Sequence, residues 1–77
     1  MLEEAGFADG SDSWGRLSRR EAEVLEMTSL GLTNNQIAAR LNVTTHAVKF
    51  HLSSIFRKLG VGNRTEAVVL YLRRPTG

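Results

Sequence analysis

The chain has 77 residues, no cysteine, ten Lys and Arg against eight Asp and Glu, a formal net charge of +2 and 42% hydrophobic residues. A chain of this size hides only roughly 60% of the surface its unfolded form exposes, so one small core is expected, with little room for an enclosed substrate pocket; that argues against an enzyme. Without cysteine there are no disulfides or thiolate metal sites, and no apolar run reaches membrane-span length or resembles a signal peptide, so a cytoplasmic domain with no membrane partner is expected.

Charge is distributed unevenly. Glu3, Glu4, Asp9 and Asp12 crowd the first twelve residues, whereas no acid lies between Glu26 and Glu66, a window that holds Arg40, Lys49, Arg57, Lys58 and Arg64. Such a segment creates a positive potential suited to a polyanion. Five charges in a window of that length are also an ordinary density for a solvated surface, so charge alone does not decide the partner.

Residues 1–16 contain three glycines, two serines and half of the acids, with Phe7 and Trp14 as the only aromatic groups. They read as a linker or tail, although Trp14 is placed to fold back on the edge of a core. The first helix is expected from about Arg19 to Leu30. Ser18-Arg19-Arg20-Glu21 spells a capping box, with Leu17 and Ala22 at staple positions. Val24, Leu25, Met27 and Leu30 supply the apolar surface, and Gly31 ends the helix by adopting the left-handed conformation.

A second box, Thr33-Asn34-Asn35-Gln36, opens a short helix with Ile37, Ala38 and Leu41 as its buried stripe. Ala39 beside Ala38 would let another backbone approach. Asn42 suits the left-handed end position, Val43 can plug the corner, and Thr44 or Thr45 can cap the next helix. A connection of this length is that of a helix-turn-helix.

The helix that follows, to Leu59, has two faces. At roughly 100° per residue, Val48, Leu52, Ile55, Phe56 and Leu59 gather into one apolar stripe that must face a core. The opposite side holds His46, Lys49, Phe50, Ser53 and Arg57, with two fixed positive charges, hydrogen-bonding groups, an aromatic ring and no carboxylate. Such a face suits the major groove, where base edges offer acceptors, donors and thymine methyls between walls of phosphate. It would equally describe the solvated back of an ordinary amphipathic helix. Gly60-Val61-Gly62 is a turn, and Asn63-Arg64-Thr65-Glu66 opens a last helix to Leu72. Arg73 and Arg74 suit its C-terminal dipole, and Pro75 forbids much extension.

Chemistry-bearing motifs are lacking. His46 and His51 are five apart, off the spacing at which two helix residues share a metal, so no metal is expected, and His51 reads as a structural hydrogen-bonding group or a phosphate contact. Gly60-Val61-Gly62 follows a helix and is too short for a dinucleotide fingerprint. Asn42-Val43-Thr44 and Asn63-Arg64-Thr65 match glycosylation acceptors by letter only, since both are needed as caps. Ser, His and carboxylate groups form no nucleophile motif. No catalytic residue, no cofactor and no small-molecule ligand are expected in this domain.

Leu17-Ser18-Arg19-Arg20-Glu21-Ala22-Glu23-Val24-Leu25, Gly31-Leu32-Thr33-Asn34-Asn35-Gln36-Ile37-Ala38, Val48-Lys49-Phe50-His51 and Lys58-Leu59-Gly60-Val61 with Asn63-Arg64-Thr65-Glu66-Ala67-Val68 follow one another in order. In these four motifs the chain resembles the LuxR/GerE-type helix-turn-helix domain over residues 17–74. The resemblance implies an all-α, four-helix helix-turn-helix bundle of the winged-helix-like group without the wing, with the third helix in the major groove. It implies bacterial transcription regulators, response regulators among them, that bind double-stranded DNA as homodimers, with RNA polymerase as a further candidate partner.

Carried over residue by residue, Lys49 matches the family's basic residue at the groove. Phe50 and Ser53 stand where bases are often touched, in place of the more usual small aliphatic and basic residues. His51 agrees with a frequent histidine, Asn35 stands where many members have a lysine, and Ala47 replaces a common threonine. Base reading is therefore assigned to Lys49, Phe50 and Ser53, with His46 in addition. Phosphate contact is assigned to Thr33, Thr44, Thr45, His51, Arg57 and Lys58. Dimer contact is assigned to Val69, Leu70, Tyr71 and Arg73, the alternative for Tyr71 and the outer face of the last helix being packing against the first helix of the same chain. The expected organisation is a tail over 1–16, the domain over 17–74 and a tail over 75–77, forming the effector part of a longer regulator. The competing class is a helical protein-interaction module in which Phe50, Tyr71 and the first helix dock onto another protein and the basic face only solubilises.

Overall fold

The computed structural model describes residues 14–75. It contains α1 (Arg19–Ser29), α2 (Asn34–Leu41), α3 (Thr45–Leu59) and α4 (Arg64–Leu72), with no strand among the described residues. The all-α expectation holds, and each expected helix forms. The expected tails, apart from Trp14–Arg16 and Pro75, lie outside the described residues.

Local chemistry sets the boundaries. At α1 the Glu21 N–H donates to Ser18 Oγ at 3.0 Å while the Ser18 N–H donates to Glu21 Oε1 at 2.8 Å. The same reciprocal pair joins Thr33 and Gln36 at 3.1 and 2.8 Å. Thr44 Oγ1 caps α3 by accepting from the Ala47 N–H at 3.0 Å, and Asn63 Oδ1 caps α4 by accepting from the Glu66 N–H at 2.9 Å. The first three helices end alike: Gly31, Asn42 and Gly60 take positive φ of 92°, 58° and 71°. The next residue then donates back to the last turn, Leu32 to Met27 O, Val43 to Ala38 O and Val61 to Phe56 O. Leu32, Val43 and Val61 each pack on the core, which is the apolar contact that accompanies this type of helix end.

Val24, Leu25, Ile37, Val48, Ile55 and Ala67 are completely buried, and Ala38 and Leu52 nearly so. α3 packs against α1, α2 and α4, and α4 also lies on α1, so the third helix is held on three sides. One expectation in α1 and one in α2 need correction. Leu30 is 69% exposed because it sits at the C-cap, beyond the last helical turn, and Leu32 enters the core in its stead. Thr28 is buried, its hydroxyl donating to Val24 O at 2.8 Å. Ala39 faces outward, while Ala38 alone provides the close approach.

Glu21 does more than cap. Its side chain is buried, and it accepts from Lys58 Nζ at 2.8 Å and from Ser54 Oγ at 2.7 Å, in addition to the Ser18 N–H. Burial alone would raise its pKa, but the hydrogen bonds from Lys58, the Ser18 N–H and Ser54, with the Lys58 charge, outweigh burial and bring it down to about 2. Lys58 Nζ also donates to the Arg16 carbonyl at 3.2 Å, which holds the segment entering α1. That segment is gripped again at Trp14. Its ring meets Tyr71 edge-on at 6.0 Å, and the Arg74 guanidinium lies over the other ring at 3.7 Å.

A carboxylate held near 2 when folded and near 4.5 when released stabilises the fold fully above about pH 4.5 and loses that contribution as pH falls toward about 2. Glu21→Gln is therefore expected to cost on the order of 2–3 kcal/mol near neutral pH, with the gap to the wild type narrowing through that window. Denaturant unfolding at a series of pH values measures this; a gap independent of pH would show that Glu21 ionisation does not hold α1 to α3.

Candidate nucleic-acid interface

The core locks one side of α3 inward and thereby decides what the other side shows. His46, Lys49, Phe50, Ser53 and Arg57 are all exposed, Phe50 to 68%, and Val48, Leu52 and Ile55 point into the core behind them. The ring of Phe50 meets that of half-buried His51 edge-on at 6.1 Å. A carboxylate-free surface with two cations thus runs along α3 from its first turn to its last.

The residues expected at phosphates separate into three groups. Thr33 and Thr44 stand at the N-termini of α2 and α3, where their hydroxyl oxygens are used as caps and where unsatisfied backbone N–H groups and the helix dipole favour an anion. Thr45, in the first turn of α3, donates its hydroxyl to Asn35 Oδ1 at 2.8 Å, which ties the starts of α2 and α3 together. Arg57 shares the exposed face of α3 and His51 lies at its edge. Lys58 is engaged within the protein. Its ammonium turns inward to Glu21 and the Arg16 carbonyl, because Ser54 and Lys58, four residues apart on α3, face the buried carboxylate of α1.

A shallow groove of roughly 520 Å³ opens between the N-termini of α2 and α3, bordered by Thr33, Asn34, Asn35, Thr45, Lys49 and Arg64. Arg64 spans its back wall: Nη1 donates to Asn34 Oδ1 and Nη2 to the Leu32 carbonyl, both at 2.7 Å. Taken singly, Arg64, Asn34 and Ser54 carry no sign of these contacts in the sequence beyond the charge of Arg64. Ser54 and Lys58 do share a helix face at a spacing of four, which was a legible signal. The acceptors of Arg64 lie some thirty residues upstream, and no local pattern points to them.

The residues assigned to a dimer contact do not share one face. Val69 and Leu70 are exposed at 43% and 36%, and with Val61, Thr65 and Arg73 they border an apolar depression of about 360 Å³. Tyr71 instead turns toward Trp14 and the core, so its place is the intramolecular alternative. Among the described residues there is no cluster of His, Asp and Glu able to hold a metal ion, and no helix is long and apolar enough to cross a membrane.

Residues 15–71 match the family of bacterial regulatory proteins, luxR family, through its GerE domain. The chain is 38% identical over 74 residues to the nitrate/nitrite response regulator protein NarP of Escherichia coli, an alignment covering 96% of this chain and 34% of that protein. It is 43% identical over 54 residues to the transcriptional regulatory protein ComA of Bacillus subtilis, with 70% of this chain and 25% of that protein covered. It is 48% identical over 54 residues to the transcriptional activator protein RaiR of Rhizobium etli, covering 70% and 22%. The chain thus spans a third or less of the length of these relatives.

The separation of faces on α3 has a direct consequence for stability. Alanine at Lys49, Phe50 or Ser53 is expected to leave unfolding free energy within about 0.5 kcal/mol of the wild type, whereas Leu52→Ala, on the buried side, is expected to cost about 2–5 kcal/mol. Chemical denaturation of the four variants checks this, and a large loss at Phe50 would place that ring in the core rather than on an open face.

Proposed function

The chain belongs to the luxR family of bacterial regulatory proteins, as a helix-turn-helix domain that binds double-stranded DNA in transcription regulation, and we propose that α3 enters the major groove with Lys49, Phe50, Ser53 and His46 toward the bases. The observation that carries this reading is the exposed face of α3, free of carboxylates and held outward by a core that grips the helix on three sides. Lys49 offers donors to guanine or to a phosphate, Phe50 an apolar surface for thymine methyls, and Ser53 and His46 hydrogen-bonding groups for base edges. Thr33, Thr44, Thr45, His51 and Arg57 are placed to position the backbone, and phosphate contacts of this kind set affinity and orientation while base contacts select sequence. Lys58 is left out of that set because Glu21 holds it.

In this reading residues 17–74 are the effector part of a longer cytoplasmic regulator, a response regulator or a sensor protein. The domain carries no chemistry of its own and needs no cofactor. Two copies bind paired half-sites as a homodimer through Val69, Leu70 and Arg73 of α4, the apolar depression there being covered by the second copy. RNA polymerase is the partner expected downstream of the bound dimer.

Selection of duplexes from a random DNA pool by the purified domain is expected to enrich paired half-sites at fixed spacing. Lys49→Ala is then expected to cost about 1–3 kcal/mol on the selected duplex and to relax preference at one position. Arg57→Ala is expected to weaken all duplexes evenly and to lower the log–log salt slope by about 0.9. Unchanged affinity in Lys49→Ala, with helicity intact, would remove α3 from the groove; enrichment of single half-sites only would remove the dimer.

A further inference from the structure

Outside the hydrophobic core, a chain of polar contacts runs from the last helix to the recognition helix. Arg64, the first residue of α4, donates to the side chain of Asn34, the first residue of α2, and to the Leu32 carbonyl just before it. Asn35, the second residue of α2, accepts from Thr45, the first residue of α3. Three helix N-termini, distant in sequence, are thereby tied at one corner of the domain, and that corner is the groove bordered by Lys49. Both acceptors of Arg64 are 2.7 Å from a guanidinium nitrogen and part-buried, a two-pronged geometry that a lysine ammonium cannot reproduce.

We propose that Arg64 is a positioning residue for DNA binding: through Asn34 and the Leu32 carbonyl it sets α2 against α3 and so fixes how the N-termini of both helices meet the phosphates on either side of Lys49. The guanidinium acts through the protein and makes no phosphate contact of its own. The strut also makes α4, the helix proposed to meet a second copy, mechanically continuous with the DNA face. The inference rests on the proposed docking of α3 and adds to it a residue that touches neither base nor phosphate.

The test compares Arg64→Lys, Arg64→Gln, Asn34→Ala and the double variant Arg64→Gln/Asn34→Ala with the wild type. Each is titrated over a range of salt concentrations against a duplex enriched by the wild-type domain and against an unrelated duplex of equal length, with thermal unfolding run in parallel. Arg64→Lys and Arg64→Gln are both expected to lose about tenfold in affinity with the salt slope unchanged, because no phosphate contact is lost. Asn34→Ala is expected to lose affinity in the same way, and the double variant no more than Arg64→Gln alone. If Arg64→Gln fails to fold, Asn34→Ala with its unchanged slope carries the test. Full affinity in Arg64→Lys together with a slope lower by about 0.9 in Arg64→Gln would make Arg64 a phosphate contact and overturn the proposal. Wild-type affinity in all variants would overturn it as well. A wild-type domain that enriches no duplex would instead remove the reading of α3 on which the proposal stands.

Discussion

The buried carboxylate of Glu21 is the constraint on which the placement of α3 depends. A charge this deep is tolerated only when its lone pairs are filled and a counter-charge lies close by; here Ser18 supplies an N–H, Ser54 a hydroxyl and Lys58 an ammonium. Glu21 on α1 and Ser54 and Lys58 on α3 sit at fixed points on two helices, so satisfying Glu21 sets both the rotation of α3 about its axis and its sliding against α1. Apolar packing through Val24, Leu25, Val48, Leu52 and Ile55 supplies most of the driving force but is non-directional and would accept small shifts in register. The directional contacts would not, since a displaced Ser54 or Lys58 leaves the carboxylate unsatisfied at a cost of several kcal/mol.

Function follows from this rotational lock. A helix that reads a groove must present the same few side chains every time it docks, and 100° of error per residue step would exchange Lys49 for Val48 or Phe50. The domain meets the requirement with two separate fastenings at opposite ends of α3. Glu21 holds the C-terminal half through Ser54 and Lys58, and the Asn35–Thr45 contact holds the first turn. Between them His46, Lys49, Phe50, Ser53 and Arg57 face outward without an intervening carboxylate. Lys58 belongs to the scaffold, its ammonium closing the buried pair with Glu21 and holding the Arg16 carbonyl.

The parts of this structure written in local chemistry were legible in the sequence. Ser18, Thr33, Thr44 and Asn63 announced four helix starts, Gly31, Asn42 and Gly60 announced three ends, and the spacing of Val48, Leu52 and Ile55 separated the inner from the outer face of α3. What escaped was long-range and polar. Glu21 read as half of a capping box, which it is, but a capping role gives no hint that its two oxygens find further partners, Ser54 and Lys58, on another helix more than thirty residues on. The contacts of Arg64 and Tyr71 escape for a related reason: each has an ordinary position on a helix, and only the fold reveals Asn34 beside one and Trp14 beside the other. Leu30 shows the opposite failure, a strongly apolar residue left outside because the helix stops one residue before it.

Exposed Phe50 carries the last step. A single large apolar side chain on a surface is commonplace, and by itself its 68% exposure says nothing. Its neighbours change that reading, since Lys49 and Ser53 flank it on the same helix face and the ring of His51 meets it edge-on. A purely solvated face would gain nothing from an aromatic ring at its centre, and a protein-docking face would be expected to extend the apolar patch around it, which His46, Lys49, Ser53 and Arg57 do not. An isolated ring ringed by donors and cations matches a major groove, where the apolar feature is the thymine methyl and nearly everything around it accepts or donates hydrogen bonds. In the proposed docking of α3, Phe50 therefore sets a sequence preference through a methyl contact, with the flanking cations supplying the affinity.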